Sequence, residues 1–100
     1  MANFNYILSY NPAQTNPSVE QLHLFISKNR DIESWYLAFL GTYIIKSDKY
    51  LDDLNSQFVK FFGGSSFILT WQPFGHATGL LPSEIWEWFN NQHNPFLPRS

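Results

Sequence analysis

Few side chains in this chain are equipped for chemistry, and they are scattered. Its histidines are His23, His76 and His93; a general base or metal centre would need such groups to converge in space. His23 lies between Leu22 and Leu24 in a helical stretch, which predicts a solvent-facing or half-buried ring. His93 sits close to the end of the chain. Only His76, in the glycine-flanked loop Gly75-His76-Ala77-Thr78-Gly79, has the placing of a functional residue. That loop lacks a Walker lysine and the G-x-G-x-x-G spacing, and Pro82 delays the next helix, so it makes a poor phosphate cradle. Asp52 and Asp53 are neighbours on a predicted helix, do not share a face and default to solvated surface. With no cysteine there is no thiolate nucleophile, Cys-based zinc site or disulfide framework. The catalytic candidates that remain are Asn11 and His76; no cofactor and no metal site is expected.

Bulk composition narrows the partners. One hundred residues make one domain, and a core of that size cannot hide ten Phe, five Tyr and four Trp. Some of these rings belong in an interface or groove, which predicts a homodimer or another protein partner. The net charge is −2, and Lys28, Arg30, Lys46, Lys49, Lys60 and Arg99 are dispersed. A dedicated nucleic-acid binder carries a basic stripe to neutralise phosphates, so charge does not support that function, short of a groove built with a partner. Met1 to Tyr6 has no basic segment followed by a long apolar run, which predicts no signal peptide. No window approaches the roughly 20 apolar residues of a membrane span. A cytoplasmic protein without membrane contact is expected.

The hydrophobic period supplies the elements. Phe4 to Tyr10 alternates, with Phe4, Tyr6, Leu8 and Tyr10 on one face, and Asn11-Pro12 stops the strand. Ser18 and Gln21 form a capping box for a helix whose apolar stripe is Val19, Leu22, Phe25 and Ile26. Trp35 to Leu40 and Thr42 to Lys46 read as strands meeting at Gly41, apolar enough to be covered on both faces. Ser47-Asp48 is the predicted cap of a second helix with the stripe Leu51, Leu54, Phe58, Phe61 and Phe62, ended by Gly63-Gly64. Phe67 to Gln72 alternates up to Pro73, and Pro82-Ser83-Glu84 opens a short helix bearing Ile85, Trp86, Trp88 and Phe89. The result is a single domain over residues 1–90 and a flexible tail over 91–100. The order is β-α-β-β-α-β with a short C-terminal helix, an α+β, ferredoxin-like sandwich with a four-stranded antiparallel sheet. One sheet face would stay bare unless a second subunit or the last helix covers it.

Ile7-Leu8-Ser9-Tyr10-Asn11, Leu40-Gly41-Thr42-Tyr43-Ile44-Ile45, and Phe67–Trp71 followed by Gly79-Leu80 and Trp86-Glu87-Trp88-Phe89 together resemble a group of small ferredoxin-like proteins. The group comprises the small subunit of the CRISPR spacer-integration complex, the VapD-type endoribonuclease toxins and SinR-like relatives. The similarity covers roughly residues 4–89. It implies a homodimer in which, where nuclease activity exists, aspartates ending the first strand of two copies hold a divalent metal. This chain has Asn11 there. A neutral amide binds Mg²⁺ far more weakly than a carboxylate and cannot serve as a general base, so the departure argues against nuclease chemistry.

The leading expectation is a dimeric, non-catalytic interaction or scaffold protein of this group. Trp86, Tyr10 and Phe74 are its partner-binding residues, Trp86 acting with the 73–81 loop. The alternatives are a metal-dependent endoribonuclease, which would need a carboxylate such as Asp48 at the end of the first strand, and a small-molecule sensor with a pocket near Tyr10, Trp71 and His76.

Overall fold

Alternation in the first strand decides how the two faces of the sheet are used. The computed structural model describes residues 4–75 and 77–91. In β1 (Phe4–Tyr10), Tyr6, Leu8 and Tyr10 are buried on one face. They meet α1 (Val19–Lys28) and α2 (Leu51–Phe62) in one core with Leu22, Ile26, Leu54, Phe58 and Phe62. β2 (Ser34–Phe39) and β3 (Thr42–Ser47) form a hairpin, and β4 (Phe67–Gln72) follows α2. The chain closes with α3 (Ser83–Phe89). All pairings are antiparallel and the sheet order is β2-β3-β1-β4. Among the described residues this is a small α+β domain, a four-stranded antiparallel open sheet with three helices, compatible with a ferredoxin-like fold.

The element ends follow local chemistry. Ser18 accepts from the Gln21 backbone N–H, and the Gln21 side chain accepts from the Ser18 N–H, completing the predicted capping box. Gly41 turns the hairpin with φ +100°, and a Cβ there would lie 3.1 Å from the Tyr10 carbonyl oxygen; both the angle and the close approach require glycine. Gly63, at φ +61°, ends α2 as its C-cap.

The predicted cap of α2 is corrected. Ser47 belongs to β3, where its hydroxyl donates to the Asp31 carbonyl and accepts from the Lys49 N–H. The N-cap is Tyr50, without a side-chain hydrogen bond. β2 also starts one residue earlier and ends one residue earlier than predicted, with a register shift between Leu37 and Phe39.

The opposite sheet face is not bare, because α3 lies on it. Ile85, Trp88 and Phe89 pack on Ile44 in a second cluster, joined by half-buried Tyr36, Ala38 and Trp86. β3 is thus covered on both faces within one chain. No helix among the described residues is long and apolar enough to cross a membrane. The predicted tail from residue 92 onward lies outside the described residues.

Candidate interaction surface

Strand register divides the α3-side face into three cross-strand rows. The first is Ser34–Lys46–Asn5–Gln72, the second Tyr36–Ile44–Ile7–Thr70, and the third Phe39–Thr42–Ser9–Ile68. Each row is treated differently by what lies above it.

The first row is polar and fastens the end of α3. Asn5 Nδ2 donates to the Phe89 carbonyl, Lys46 Nζ donates to the Asn91 carbonyl at 3.0 Å, and Trp88 Nε1 donates to Ser34 Oγ at 2.9 Å. The last carbonyls of a helix lack intrahelical partners and carry the negative end of its dipole, so an ammonium and an amide are suited to this place. Lys46 is fully buried, with Nζ 4.9 Å from the centroid of the Phe74 ring and 5.4 Å from that of Trp88. Burial pulls its pKa down to about 8, partly opposed by the Glu33 carboxylate. Burial and then Asp48 push Glu33 up. Asn5 Oδ1 is buried with no hydrogen-bond partner among the described residues, a local cost of about 1–3 kcal/mol.

The second row is apolar at its centre and lies beneath α3. The third is left open. Its ends are the exposed Phe39 (62%) and Ile68 (66%), with half-buried Thr42 and Ser9 between them. Above Phe39 the 77–81 loop adds Leu80, 97% exposed, and a groove of about 160 Å³ runs between that loop, Phe39, Ile44, Trp86 and Phe89. Among the described residues no charged side chain lines this groove. Its volume is below the roughly 300–1,000 Å³ of a small-molecule site, so it suits the insertion of a side chain better than a metabolite.

The sequence-predicted site residues are not brought together. Tyr10 lies on the helical face, buried and stacked on Tyr43 with ring centroids 6.1 Å apart. Trp86 is on the other side of the sheet, half-buried and edge-on to Phe89 at 5.5 Å. Phe74 is on that side too, but its ring serves Lys46. His76 lies outside the described residues, as does His93. His23 is exposed on α1, its Nδ1 3.0 Å from Tyr43 Oη and its ring edge-on to Trp35. Trp71 and Tyr10 line separate hollows, so the pocket expected near both does not form from them.

Asn11 is exposed at the end of β1, where its Oδ1 accepts from the Ala13 N–H at 2.9 Å, an Asx turn. The hollow beside it is lined by Ser9, Tyr10, Ser66, Phe67 and Ile68, with no carboxylate. Asp48 follows Ser47, which pairs with Phe4 at the far end of β1, about 20 Å away at strand rise. Asp48 therefore does not supply the missing carboxylate within one chain. Among the described residues no group of three or more His, Asp or Glu is placed to hold a metal ion.

Sequence reasoning missed the first-row clamp. The available signal was Lys46 itself, a cation at the alternation position shared with Thr42 and Ile44 inside an otherwise apolar strand. No protein-family model, curated protein or solved structure matches the chain.

Proposed function

We propose that this chain is a small dimeric interaction protein without catalytic chemistry of its own, built on a ferredoxin-like sheet of the kind its segments resemble. The observation that carries the reading is the open third row, Phe39 and Ile68 with Leu80 above, next to an uncharged groove floored by Ile44 and walled by Trp86. Apolar side chains exposed together mark association, and a side chain entering beside Trp86 would be buried among aromatic and aliphatic groups, the usual setting of an interaction hot spot. The lack of charge around the groove favours a protein surface over nucleic acid, whose phosphates demand cations. The α3 clamp gives this surface a fixed wall, which limits the ordering cost of binding.

The test pairs a binding measurement with an activity measurement. Wild type and a Phe39→Asp, Leu80→Asp double variant are tagged, purified from their native cells and compared for retained proteins; both are also incubated with RNA in Mg²⁺ or Mn²⁺. The expected result is a stoichiometric partner held by wild type and lost from the variant, with matching unfolding midpoints and no cleavage by either. Metal-dependent RNA cleavage by wild type would overturn the non-catalytic reading in favour of an endoribonuclease.

A further inference from the structure

The sheet has two edges, and they differ in how well they are protected. Exposed edge strands offer unpaired N–H and C=O groups, which natural proteins blunt with charge, proline, bulges or covering segments. β2 carries a register shift between Leu37 and Phe39, and the 77–81 loop stands beside its end. Among the described residues β4 has none of these devices. Its six residues, Phe-Ile-Leu-Thr-Trp-Gln, contain no charge and no proline, and its register with β1 runs unbroken from Gln72 to Phe67. Among the described residues β4 pairs with β1 alone.

Both flanks of this edge are apolar. On the α3 side stands Ile68; on the helical side Trp71 (52% exposed) shares a hollow with Tyr50 (70% exposed) and Leu51. Leu51 lies by Trp71, and Phe62 stacks on Phe67, so α2 runs antiparallel to β4.

We infer that β4 pairs with β4 of a second copy across a two-fold axis, extending the two sheets into one of eight strands. A copy of the same edge is the occupant that fits. An antiparallel pair with Leu69 or Thr70 on the axis keeps the helical faces of both copies on the same side, since cross-strand partners share a face. It also sets the two α2 helices antiparallel, so that the acidic first turn with Asp52 and Asp53 approaches the partner's last turn with its Lys60. Opposite charge therefore meets opposite charge around an uncharged ladder. Each copy contributes about three residues whose backbone groups point outward.

This rests on the dimeric part of the proposed function; it takes up Ile68, the β4 end of the third row, and leaves Phe39 and Leu80 free, so the two can fail separately. Light scattering is run on wild type, Thr70→Lys and Phe39→Lys, with amide hydrogen exchange of wild type by NMR. Thr70 is exposed, and lysine there brings two cations together on one sheet face, directly opposite with Thr70 on the axis and diagonal with Leu69 there. The expected mass is that of a dimer for wild type and Phe39→Lys, halved for Thr70→Lys. In wild type the outward amides of β4 are expected to exchange as slowly as those of β1, while those at the end of β2 exchange fast. A dimer split by Phe39→Lys but not by Thr70→Lys overturns this inference and moves self-association to the third row. A monomeric wild type with fast β4 exchange overturns both the inference and the dimer, without touching the partner surface around Leu80.

Discussion

With its Nζ set between the Phe74 and Trp88 rings, Lys46 gives up its proton near pH 8 in the folded chain. In the unfolded chain it keeps the proton up to about pH 10.5. Between those values the unfolded state binds more protons, so stability rises with pH. Burial of the charged form is a penalty below pH 8 that fades across this window, worth up to about 3 kcal/mol. Tyr6 and Tyr43 act in the opposite sense. Burial pushes both phenols up to about 12, so their contribution is complete below pH 10 and lost as pH rises from 10 to 12. Thermal unfolding midpoints are therefore expected to climb from pH 8 to about 10 and then fall. In Lys46→Met the climb should vanish while the fall remains. A wild-type profile flat from pH 8 to 10 would show that Lys46 is not desolvated as described.

Asn11 supports a second expectation at this scale. Aspartate can accept the same Ala13 N–H, so Asn11→Asp should change stability by less than about 0.5 kcal/mol. In the proposed dimer, pairing along β4 would keep the two copies of residue 11 at opposite ends. Asn11→Asp is thus expected to gain no Mg²⁺- or Mn²⁺-dependent RNA cleavage; acquired cleavage would mean that the two strand ends meet.

Among the elements, α3 is the shortest helix and depends most on tertiary contacts. Seven residues cannot hold a helix in water; it persists because Ile85, Trp88 and Phe89 are buried and the first row holds its last carbonyl, that of Phe89, and the Asn91 carbonyl just past its cap. Trp88→Ala should cost about 3–5 kcal/mol and should expose Ile44, which raises dye binding to the sheet face. Ser34→Ala removes the hydroxyl that accepts from the Trp88 indole N–H and should cost about 1–3 kcal/mol. Urea titration followed by tryptophan fluorescence measures both, and equal losses would contradict the division between packing and clamp.

Most elements were legible in the sequence because their signals are local. Alternation from Phe4 to Tyr10 and from Phe67 to Gln72 states which side chains face the helices, and Ser18 with Gln21 states where α1 begins. Ser47 misled because a serine before a helical stripe looks like a cap, whereas its hydroxyl is engaged by Asp31 and Lys49 at the end of β3. The clamp and the open row were not legible. Each joins side chains from several strands, and such rows exist only once the register between strands is known.

At the scale of the whole molecule, the surplus of aromatic residues noted in the composition is only partly absorbed by α3. The large rings exposed among the described residues are Tyr50 and Trp71 at the β4 edge and Phe39 in the third row, two surfaces on one sheet that can be occupied together. The sheet edge suits a second copy, and the row with Leu80 suits a different protein. On the proposed reading, this separation would let the chain connect its own dimer to a partner. It follows that disrupting the β4 edge by Thr70→Lys should weaken partner binding only through lost bivalency, whereas changes at Phe39 or Leu80 should abolish it.

The most direct measurement is photocrosslinking in native cells from a benzophenone side chain placed at Leu80, with the exposed Ser27 on α1 as the control position. One discrete adduct to a different protein, formed from position 80 and absent from position 27, is the predicted result. Equal labelling from both positions, or none from position 80, would contradict a partner surface built on the open row of the sheet.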